Sequence, residues 1–418
     1  MSKLVVMGEA KLHGEMRVPG AKNSVLPILA ASLLTDEPVR LYDCPRLLDV
    51  LNMLRILRTL GVKAEWKSDA LVIDASGANS YEMPAHLSKE LRSSIFMLGP
   101  LLGRFQRAHC TFPGGCEIGM RPIDLHLHGL ASLNVRIREE YGDILCDGSA
   151  LTGAVVHLDY PSVGATENLM MAAVAAKGDT VIQNAAREPE IADLQGFLNA
   201  IGCQISGAGS STVTIVGGRK RHGAEYRIMP DRIVAGTMMC AAAITGGKIE
   251  LTNARASDAS SVISKLRETG CDIQLYESAV RICGPVRPRE LKLVETLPHP
   301  GFPTDMQAQM MAVCSVADGT GIIVENVFES RFKHAAELMR MGANITVKDR
   351  TAIVRGVPTL MGAEVIARDL RGGAALCLAG LRASGHTVIH GAEHVDRGYE
   401  RIEDMLTGLG ADVRRELD

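Results

Sequence analysis

A repeat that recurs roughly every 70 residues constrains the fold of this 418-residue chain more than any other feature. Each copy reads as an alternating strand, a polar loop, an amphipathic helix with apolar residues at i, i+3 and i+4, a helix-ending glycine (asparagine in the second copy), and a further strand. This period is longer than that of ordinary solenoids, so we expect each copy to be a supersecondary unit of its own. The six copies are EPVRLYDCPRLLDVLNMLRILRTLGVKAE, RAHCTFPGGCEIGMRPIDLHLHGLASLNVRIR, DTVIQNAAREPEIADLQGFLNAIGCQIS, GKIELTNARASDASSVISKLRETGCDIQ, TGIIVENVFESRFKHAAELMRMGANIT and HTVIHGAEHVDRGYERIEDMLTGLGADVR.

A second, mostly apolar helix is predicted ahead of the strand of each copy. A helix that is apolar on nearly all faces is buried, so these six should form the interior, with the amphipathic helices outside. This arrangement predicts two domains of three units, each with sheets around central helices. The six apolar segments are KNSVLPILAASLL, RSSIFMLGPLLGR, SVGATENLMMAAVAA, DRIVAGTMMCAAAIT, PTDMQAQMMAVCSVA and DLRGGAALCLAGLRA.

Polar residues gather at the N-terminal ends of these apolar helices. Any one of them is ordinarily a helix cap. Helix N-termini carry unpaired N–H groups and partial positive charge, so six of them facing one cleft would bind anionic ligands such as phosphates. The residues are Lys22, Asn23, Arg92, Ser162, Asp231, Arg232, Thr304, Asp305, Asp369 and Arg371.

The composition excludes several classes of partner. Lysine and arginine number 45 against 48 acidic residues, a net charge of -3, which gives no electrostatic reason to expect nucleic acid or an anionic membrane. The longest apolar stretches, such as 233–245, are too short and too rich in small residues to span a bilayer. Ten cysteines without a Cys-x-x-Cys pair, and a start without an apolar signal run, predict reduced thiols and a cytoplasmic location.

The segment FPGGCEIGMRPIDLHLHG, residues 112–129, places a cysteine between glycines. Glycines allow backbone angles that other residues avoid, and loops of this kind more often present a residue than bury it. His126 and His128 would point the same way on a strand, but no third ligand motif accompanies them, so we predict no metal site.

Together with this loop, the motifs PGAKNS, PSVGAT, NAAREPEI, PHPGFPTDMQAQ, ENVFESRF, DLRGG and HVDRGYERIED closely resemble those of the UDP-N-acetylglucosamine 1-carboxyvinyltransferase family, the UDP-GlcNAc enolpyruvyl transferases. The resemblance covers essentially the whole chain. It implies the enolpyruvyl transferase fold, a two-domain inside-out α/β barrel built from six repeated units. One domain would span 22–229 and carry the cysteine loop; the other would combine 1–21 with 230–418.

The reaction implied is transfer of the enolpyruvyl group from phosphoenolpyruvate to the 3-hydroxyl of UDP-N-acetylglucosamine, with release of phosphate. In this family the reaction is the first committed step of peptidoglycan precursor synthesis, and no metal or organic cofactor is expected. The sequence leaves the oligomeric state open.

The resemblance also assigns chemical roles. Cys116 would either deliver a proton to the methylene carbon of phosphoenolpyruvate or add to it as a thiolate, and nearby Arg121 favours the thiolate. Asp305 matches the base that takes the proton of the sugar hydroxyl, although a helix-cap aspartate would look the same in isolation. Glu188 would hold or relay protons nearby, and Asp369 would lie near the reacting centre.

Several cations are implied for the phosphate and carboxylate of phosphoenolpyruvate, because burying such groups without opposite charge is costly. Lys22, Arg121 and Arg397 would bind the phosphate, assisted by Arg371.

The nucleotide sugar would contact a separate group of residues. The segment Arg121, Pro122, Ile123, Asp124 and Leu125 would surround uracil. The pyrophosphate would meet Ser162, Val163 and Gly164 at a helix start. The remaining substrate contacts implied are those of Asn23, Arg92 and Val327.

Two positions depart from the family pattern, and two other functions compete. Tyr160, followed by Pro161, replaces a lysine that some members carry beside the pyrophosphate segment, and Phe96 replaces a tryptophan. The related shikimate-pathway enolpyruvyl transferase shares the fold and donor but lacks an equivalent cysteine loop. A catalytically idle paralogue acting as a binding protein has no chemical reason to keep the complete set Cys116, Lys22, Arg121, Asp305 and Arg397.

Overall fold

The computed structural model describes residues 2–90, 92–112 and 123–417 of an α/β protein. Strands and helices are labelled in chain order. The strands are β1 Ser2–Met7, β2 His13–Arg17, β3 Val39–Tyr42, β4 Lys63–Lys67, β5 Ala70–Asp74, β6 Arg107–Thr111, β7 Arg136–Glu140, β8 Asp143–Asp147, β9 Val155–His157, β10 Thr180–Gln183, β11 Gln204–Ser206, β12 Thr212–Val216, β13 Ala224–Arg227, β14 Lys248–Thr252, β15 Asp272–Leu275, β16 Ala279–Cys283, β17 Leu293–Glu295, β18 Thr320–Val324, β19 Asn344–Lys348, β20 Thr351–Arg355, β21 Glu364–Ile366, β22 His386–His390 and β23 Val413–Leu417.

The helices alternate with these strands. The α-helices are α1 Lys22–Ala31, α2 Leu48–Thr59, α3 Ala85–Glu90, α4 Leu98–Phe105, α5 Asp124–Ser132, α6 Val163–Ala173, α7 Pro189–Ala200, α8 Arg232–Thr245, α9 Ser260–Glu268, α10 Gln307–Val316, α11 Lys333–Arg340, α12 Leu370–Arg382, α13 Ala392–Val395 and α14 Ile402–Gly408. Short 3-10 helices span Ser32–Leu34, Arg92–Met97, Ala256–Ala259 and Thr304–Met306.

Helix α8 shows why the apolar segments form interior helices. Its residues are small or aliphatic on every face, and all of them from Ile233 to Ile244 are buried. The Asp231 carboxylate accepts hydrogen bonds from the backbone N–H groups of Ile233 and Val234 at 2.8 and 3.0 Å, which satisfies orphan donors of the first turn. The helix ends at Gly246, whose φ of +64° suits a residue without a side chain. The expectation of buried apolar helices is confirmed here and in α1, α4, α6, α10 and α12.

The described strands form six sheets, five of which share one plan. An edge strand pairs in parallel with its neighbour, and two antiparallel strands follow. These five orders are β13-β3-β5-β4, β9-β10-β12-β11, β2-β14-β16-β15, β17-β18-β20-β19 and β21-β22-β1-β23. In the sixth sheet, β6-β8-β7, a single parallel bridge between Glu82 and His109 lies where the others have a parallel edge strand.

The predicted barrel needs correction. Each sheet order begins and ends on different strands, so no sheet among the described residues closes on itself. Short sheets of three or four strands leave no continuous ladder that could close. That each sheet represents one of six copies of a repeat remains a prediction.

The described residues divide into two compact units, each with its own hydrophobic core. Unit 1 combines the chain up to Pro19 with the chain from Pro230 onward, and unit 2 runs from Gly20 to Met229. Strand pairing joins the distant segments within each unit. In unit 1, β1 lies between β22 and β23, and in unit 2, β13 pairs with β3.

None of the described helices combines the length and the apolar character that crossing a membrane requires.

Candidate functional site

The predicted site residues are distributed over both units, and each unit is described by itself. Cys116, Arg121 and Pro122 lie outside the described residues. Arg92 begins the 3-10 helix Arg92–Met97 that leads into α4.

In unit 1, Asp305 is held between two arginines. It lies in the 3-10 helix Thr304–Met306, where Arg331 Nη2 donates to its Oδ1 at 2.7 Å and Arg371 Nη2 donates to its Oδ2 at 3.0 Å. Both arginine side chains are 4% exposed, and that of Asp305 is 26% exposed. Burial alone would raise the pKa of Asp305, but the charges of Arg371 and Arg331 outweigh it and hold this pKa well below its usual range. Asp305 is therefore an ionised carboxylate at neutral pH.

Arg331, which binds the Asp305 carboxylate, was not singled out by the sequence analysis. It lies within the motif ENVFESRF, from which only Val327 was assigned. Its second nitrogen, Nη1, donates to Thr304 Oγ1 at 2.8 Å, and Thr304 in turn donates to Glu325 Oε2 at 2.8 Å. Glu325 Oε1 accepts from the Val327 backbone N–H at 2.9 Å. The backbone around Val327 and the guanidinium of Arg331 are thus anchored to one buried carboxylate.

Asp369 caps helix α12 two residues before Arg371. Its Oδ1 accepts from the backbone N–H groups of Arg371 and Gly372, both at 2.9 Å. A Cβ on Gly372 would lie 2.8 Å from Asp369 Oδ2 and 3.0 Å from His334 Cβ, so a side chain at this position would crowd the cap. The buried His334, also missed by the sequence analysis, is close to this cap. Burial lowers its pKa to about 4, against a smaller opposing effect of Asp369, so His334 is neutral at pH 7.

Arg397 follows α13 in a turn and is partly buried. Two residues later the chain reaches Tyr399, which is fully buried. The Tyr399 hydroxyl lies 3.4 Å from Arg371 Nη1. The motif HVDRGYERIED therefore contributes to the surroundings of Asp305 through Tyr399 as well as supplying Arg397.

In unit 2, Lys22 opens helix α1. The cap residue is Ala21, which makes no side-chain cap, so the polar residues at this helix start do not act as caps. Lys22 Nζ lies 2.7 Å from Asp49 Oδ2 in the first turn of α2, and both side chains are largely buried. Asn23 follows on the same turn and is partly buried. The ion pair with Asp49 fixes the position of the ammonium group.

Asp193 ties the start of α1 to the end of unit 2. Its carboxylate accepts hydrogen bonds from the Ser24 hydroxyl, from the Tyr226 hydroxyl at 2.8 Å and from the Met229 backbone N–H at 3.2 Å. Three donors on one buried carboxylate restrain the helix turn that carries Lys22 and Asn23.

The predicted pyrophosphate segment forms the start of helix α6. Ser162 is its cap residue, and the hydroxyl oxygen accepts from the Ala165 backbone N–H at 3.3 Å. A Cβ on Gly164 would lie 3.0 Å from His126 Cε1 and 3.1 Å from Phe96 Cε1. The first turn of α6, which includes Val163, therefore packs closely against neighbouring side chains because residue 164 is a glycine.

The described part of the predicted uracil segment forms the start of helix α5. Ile123 is the cap residue, without a side-chain hydrogen bond, and it is buried. Asp124 is exposed and Leu125 is partly buried. Tyr160, the departure noted beside the pyrophosphate segment, is 45% exposed, and its carbonyl accepts from the Ser162 N–H at 2.7 Å.

The strand placement considered for His126 and His128 is wrong. Both lie on α5, where residues two apart point in different directions. His126 is buried with Nδ1 3.1 Å from Asn168 Nδ2, whereas His128 is exposed. Over the described ranges, no cluster of three or more histidine, cysteine or acidic side chains is arranged to hold a metal ion.

Glu188 precedes helix α7, in which Pro189 occupies the first turn. Nearby on α6 is Glu167, which the sequence analysis did not single out. It is fully buried, and neither of its carboxyl oxygens has a hydrogen-bond partner among the described residues. Burial first, and then the charges of Glu190 and Glu188, raise the pKa of Glu167 well above its usual range. This carboxyl group therefore favours its protonated form.

Comparison with known proteins places the chain in a family. The family model described as EPSP synthase (3-phosphoshikimate 1-carboxyvinyltransferase) matches residues 6–406. A UDP-N-acetylglucosamine 1-carboxyvinyltransferase 2 from Caldanaerobacter subterraneus subsp. tengcongensis is 51% identical over 415 residues, covering 99% of this chain and 100% of the relative. A UDP-N-acetylglucosamine 1-carboxyvinyltransferase 1 from Symbiobacterium thermophilum is 51% identical over 421 residues, covering 99% and 95%.

Among solved structures, the enolpyruvyl transferase NikO from Streptomyces tendae superposes with a TM-score of 0.87 at 26% identity, covering 99% of this chain and 98% of that one. The fold is therefore that of the enolpyruvyl transferases. The family-model match over residues 6–406 and the 51% identity to full-length relatives show that the chain belongs to the UDP-N-acetylglucosamine 1-carboxyvinyltransferase family.

Proposed function

We propose that this protein transfers the enolpyruvyl group of phosphoenolpyruvate to the 3-hydroxyl of UDP-N-acetylglucosamine and releases phosphate, as the first committed step of peptidoglycan precursor synthesis. The observation that carries the proposal is the ionised Asp305 carboxylate, held in place by Arg331 and Arg371. The names of the full-length relatives support the choice of substrates.

In the addition step, the sugar hydroxyl oxygen forms a bond to C2 of phosphoenolpyruvate and C3 gains a proton. Asp305 accepts the hydroxyl proton. Although its pKa is low, the hydroxyl becomes far more acidic as its oxygen attacks, so the transfer is favourable in the transition state. Cys116 supplies the proton to C3 or adds to the substrate as a thiolate. In the elimination step C3 returns a proton to the Cys116 thiolate, the C2–C3 double bond re-forms as the bond from C2 to the phosphate oxygen breaks, and phosphate leaves with that electron pair.

The anionic groups of the donor bind the cations. We assign its phosphate to Lys22, Arg121 and Arg397, with Arg371 assisting, because charge-assisted hydrogen bonds offset the cost of removing the phosphate from water. The ion pair of Lys22 with Asp49 supports this assignment, since it holds the ammonium at a defined place. Asp369 orients the start of α12 near the reacting centre, and Glu188 relays protons.

The nucleotide sugar binds mainly through unit 2. The close-packed start of α6 supports placement of the pyrophosphate on a helix N-terminus. The proposed contacts are Arg121, Pro122, Ile123, Asp124 and Leu125 for uracil, Ser162, Val163 and Gly164 for pyrophosphate, and Asn23, Arg92 and Val327 for the rest of the substrate.

We assign the residues to two domains, 22–229 and 1–21 with 230–418, each built from three copies of one unit around buried helices. The strand plan common to five of the six sheets supports this assignment. The reaction requires no metal or organic cofactor, and we place it in the cytoplasm.

The deciding experiment measures phosphate release from phosphoenolpyruvate with UDP-N-acetylglucosamine and, separately, with shikimate 3-phosphate. We expect release only with the nucleotide sugar. Release only with shikimate 3-phosphate would overturn the proposal in favour of the shikimate-pathway reaction. Binding of both substrates without release would favour an idle paralogue.

A further inference from the structure

Tyr399 lies at the centre of a buried hydrogen-bond network in unit 1 that the proposed mechanism does not use. Its side chain is fully buried. Its hydroxyl oxygen is 2.8 Å from Thr237 Oγ1, 3.3 Å from Gln309 Nε2 and 3.4 Å from Arg371 Nη1. These three partners belong to α8, α10 and α12, so three interior helices meet at one phenol oxygen.

The direction of each hydrogen bond follows from the protons available. Thr237 has one hydroxyl proton, and its Oγ1 lies 2.8 Å from the Ile233 carbonyl oxygen one turn earlier, which takes that proton. Tyr399 must then donate its own proton to Thr237. Gln309 Nε2, a donor, lies 3.0 Å from Thr237 Oγ1 and also faces the phenol oxygen. The Tyr399 oxygen therefore serves as an acceptor for Arg371.

This acceptor fixes the plane of the Arg371 guanidinium. Nη1 meets the Tyr399 oxygen and Nη2 meets Asp305 Oδ2 at 3.0 Å, so the planar group is held at two points. Arg371 is 3% exposed, so loss of the phenol oxygen would leave a buried N–H group in need of another acceptor. The guanidinium would turn to find one and would weaken its bond to Asp305.

We propose that Tyr399, oriented by Thr237 and Gln309, is a positioning residue for the reaction: it aligns Arg371 so that the carboxylate of Asp305 stays ionised and correctly directed. The inference rests on the proposed function. Tyr399 acts through Arg371 and is not itself assigned to the substrates.

Charged and polar groups from several elements surround Asp305 and its two arginines. Arg371 from α12 and Arg331 from the segment before α11 face the carboxylate directly. Asp231 at the start of α8 and Tyr399 act on Arg371. On the other side, the Thr304 hydroxyl accepts from Arg331 and donates to Glu325. The neutral His334 is close to Arg331. Removing the Tyr399 hydroxyl leaves the side chains of the other groups in place, so its effect on Asp305 comes from the lost hydroxyl.

The test is steady-state kinetics of Tyr399→Phe across pH. We expect kcat to fall about tenfold or more, the range for loss of a hydrogen bond to a charged group. The acidic limb of the kcat profile should move to higher pH, because Asp305 loses part of the charge that lowers its pKa. The KM for UDP-N-acetylglucosamine should stay within about threefold of the wild type, since its proposed contacts are elsewhere.

Three further variants sharpen the test. Thr237→Val should lower kcat in the same direction as Tyr399→Phe. The Tyr399 hydroxyl proton then loses Thr237 as its acceptor and can turn toward Arg371, where it disturbs the hydrogen bond from Nη1. Thr237→Ser keeps the hydroxyl and should restore kcat relative to Thr237→Val. Tyr42→Phe is the control: it removes a tyrosine hydroxyl that donates to Glu225 at 3.0 Å on the exposed surface of unit 2, and its kinetics should match the wild type.

An unchanged kcat in Tyr399→Phe would overturn the inference. So would a loss of kcat together with a lower unfolding temperature and an unmoved acidic limb, which would mean a structural role alone. If the wild type releases no phosphate, the proposed function fails, and the inference is tested without turnover. The midpoint of Asp305 protonation is then taken from the pH dependence of unfolding, relative to Asp305→Asn, with and without Tyr399→Phe. A midpoint at higher pH supports the inference, and an unmoved midpoint contradicts it.

Discussion

Asp305 in unit 1 and Glu167 in unit 2 are both carboxyl groups removed from most of the solvent, yet their surroundings shift their pKa values in opposite directions. Asp305 is bound by two guanidinium groups and has a lowered pKa. Glu167 has no hydrogen-bond partner among the described residues, faces two further glutamates and has a raised pKa. Burial opposes ionisation at both sites, so the neighbouring charge decides the outcome.

The comparison separates a carboxylate that can act as a base at neutral pH from a carboxyl group whose raised pKa favours the protonated form. It also explains why buried arginines surround Asp305. Without them, burial would raise the pKa of Asp305 as it raises that of Glu167, and the proposed base would be occupied by a proton.

The largest expected effect comes from replacing Asp305 by its amide, with the same replacement at Glu167 as the comparison. Asp305→Asn should lower kcat roughly 10²- to 10⁴-fold, the usual contribution of a general base, while nucleotide binding persists. Glu167→Gln replaces a protonated carboxyl by a group of the same shape and should keep kcat within about threefold. Phosphate release and UDP-N-acetylglucosamine titration measure both. Near-normal turnover of Asp305→Asn would contradict the assignment of Asp305 as the base and make Glu188 the next candidate.

A second test asks whether burial disfavours the ionised form of the cysteine thiols, as it does for the carboxyl group of Glu167. Burial raises the pKa of Cys146 to about 12 and that of Cys203 to about 11, so these thiols should be unreactive. Fosfomycin, an epoxide phosphonate shaped like phosphoenolpyruvate, should alkylate Cys116, the thiol assigned to the phosphoenolpyruvate site. Cys116→Asp should remain active and escape alkylation, because a carboxylate can deliver a proton but is a poor nucleophile. Cys116→Ala should lose most turnover, by about 10²-fold or more.

Intact-protein mass spectrometry after fosfomycin and UDP-N-acetylglucosamine, followed by peptide mapping, checks this prediction. The exposed Cys283 provides an internal control for unspecific alkylation. An adduct on a buried cysteine, or equal inactivation of Cys116→Asp, would contradict the assignment of Cys116.

A third test concerns the cations of unit 1. Arg397→Ala should reduce kcat/KM for phosphoenolpyruvate by about 30-fold, equivalent to about 2 kcal/mol for a lost charge-assisted contact. UDP-N-acetylglucosamine binding should change much less, because Arg397 is assigned to the phosphate. Initial rates at varied phosphoenolpyruvate decide the matter: an unchanged dependence would remove Arg397 from the phosphate site.

The smallest effect is on stability, and its sign differs between the two acids. The lowered pKa of Asp305 stabilises the fold above the pKa of an unfolded aspartate, and this contribution is lost as pH falls through the folded pKa. The stability difference between the wild type and Asp305→Asn should therefore shrink as the solution becomes acidic. The raised pKa of Glu167 acts the other way: it destabilises the fold increasingly as pH rises above the pKa of an unfolded glutamate.

Glu167→Gln should therefore gain stability relative to the wild type between acidic and neutral pH, by at most about 1.4 kcal/mol per pH unit. Urea unfolding at several pH values measures both differences. If both variants showed the same sign of pH dependence, the contrast between the two sites would be wrong.

The site could be predicted from the sequence wherever it depends on local structure. Ser162, Asp231 and Asp369 were singled out at helix starts, and each accepts backbone hydrogen bonds from residues two or three positions later. A cap of this kind needs no distant partner, so a short motif suffices to identify it. The placement of His126 and His128 failed because a two-residue spacing alone does not separate a strand from a helix.

The order of apolar and polar residues along the chain determined the buried helices and their capped starts, and the motifs carry the resemblance to the family. Only the tertiary structure decided which charges meet. Asp305 is 26 residues from Arg331 and 66 from Arg371, and Tyr399 is 162 residues from Thr237. Such contacts depend on how separate helices pack, and the pKa values of Asp305 and Glu167 follow from those contacts rather than from any local pattern. The ionisation of the two acids is therefore a property of the folded units.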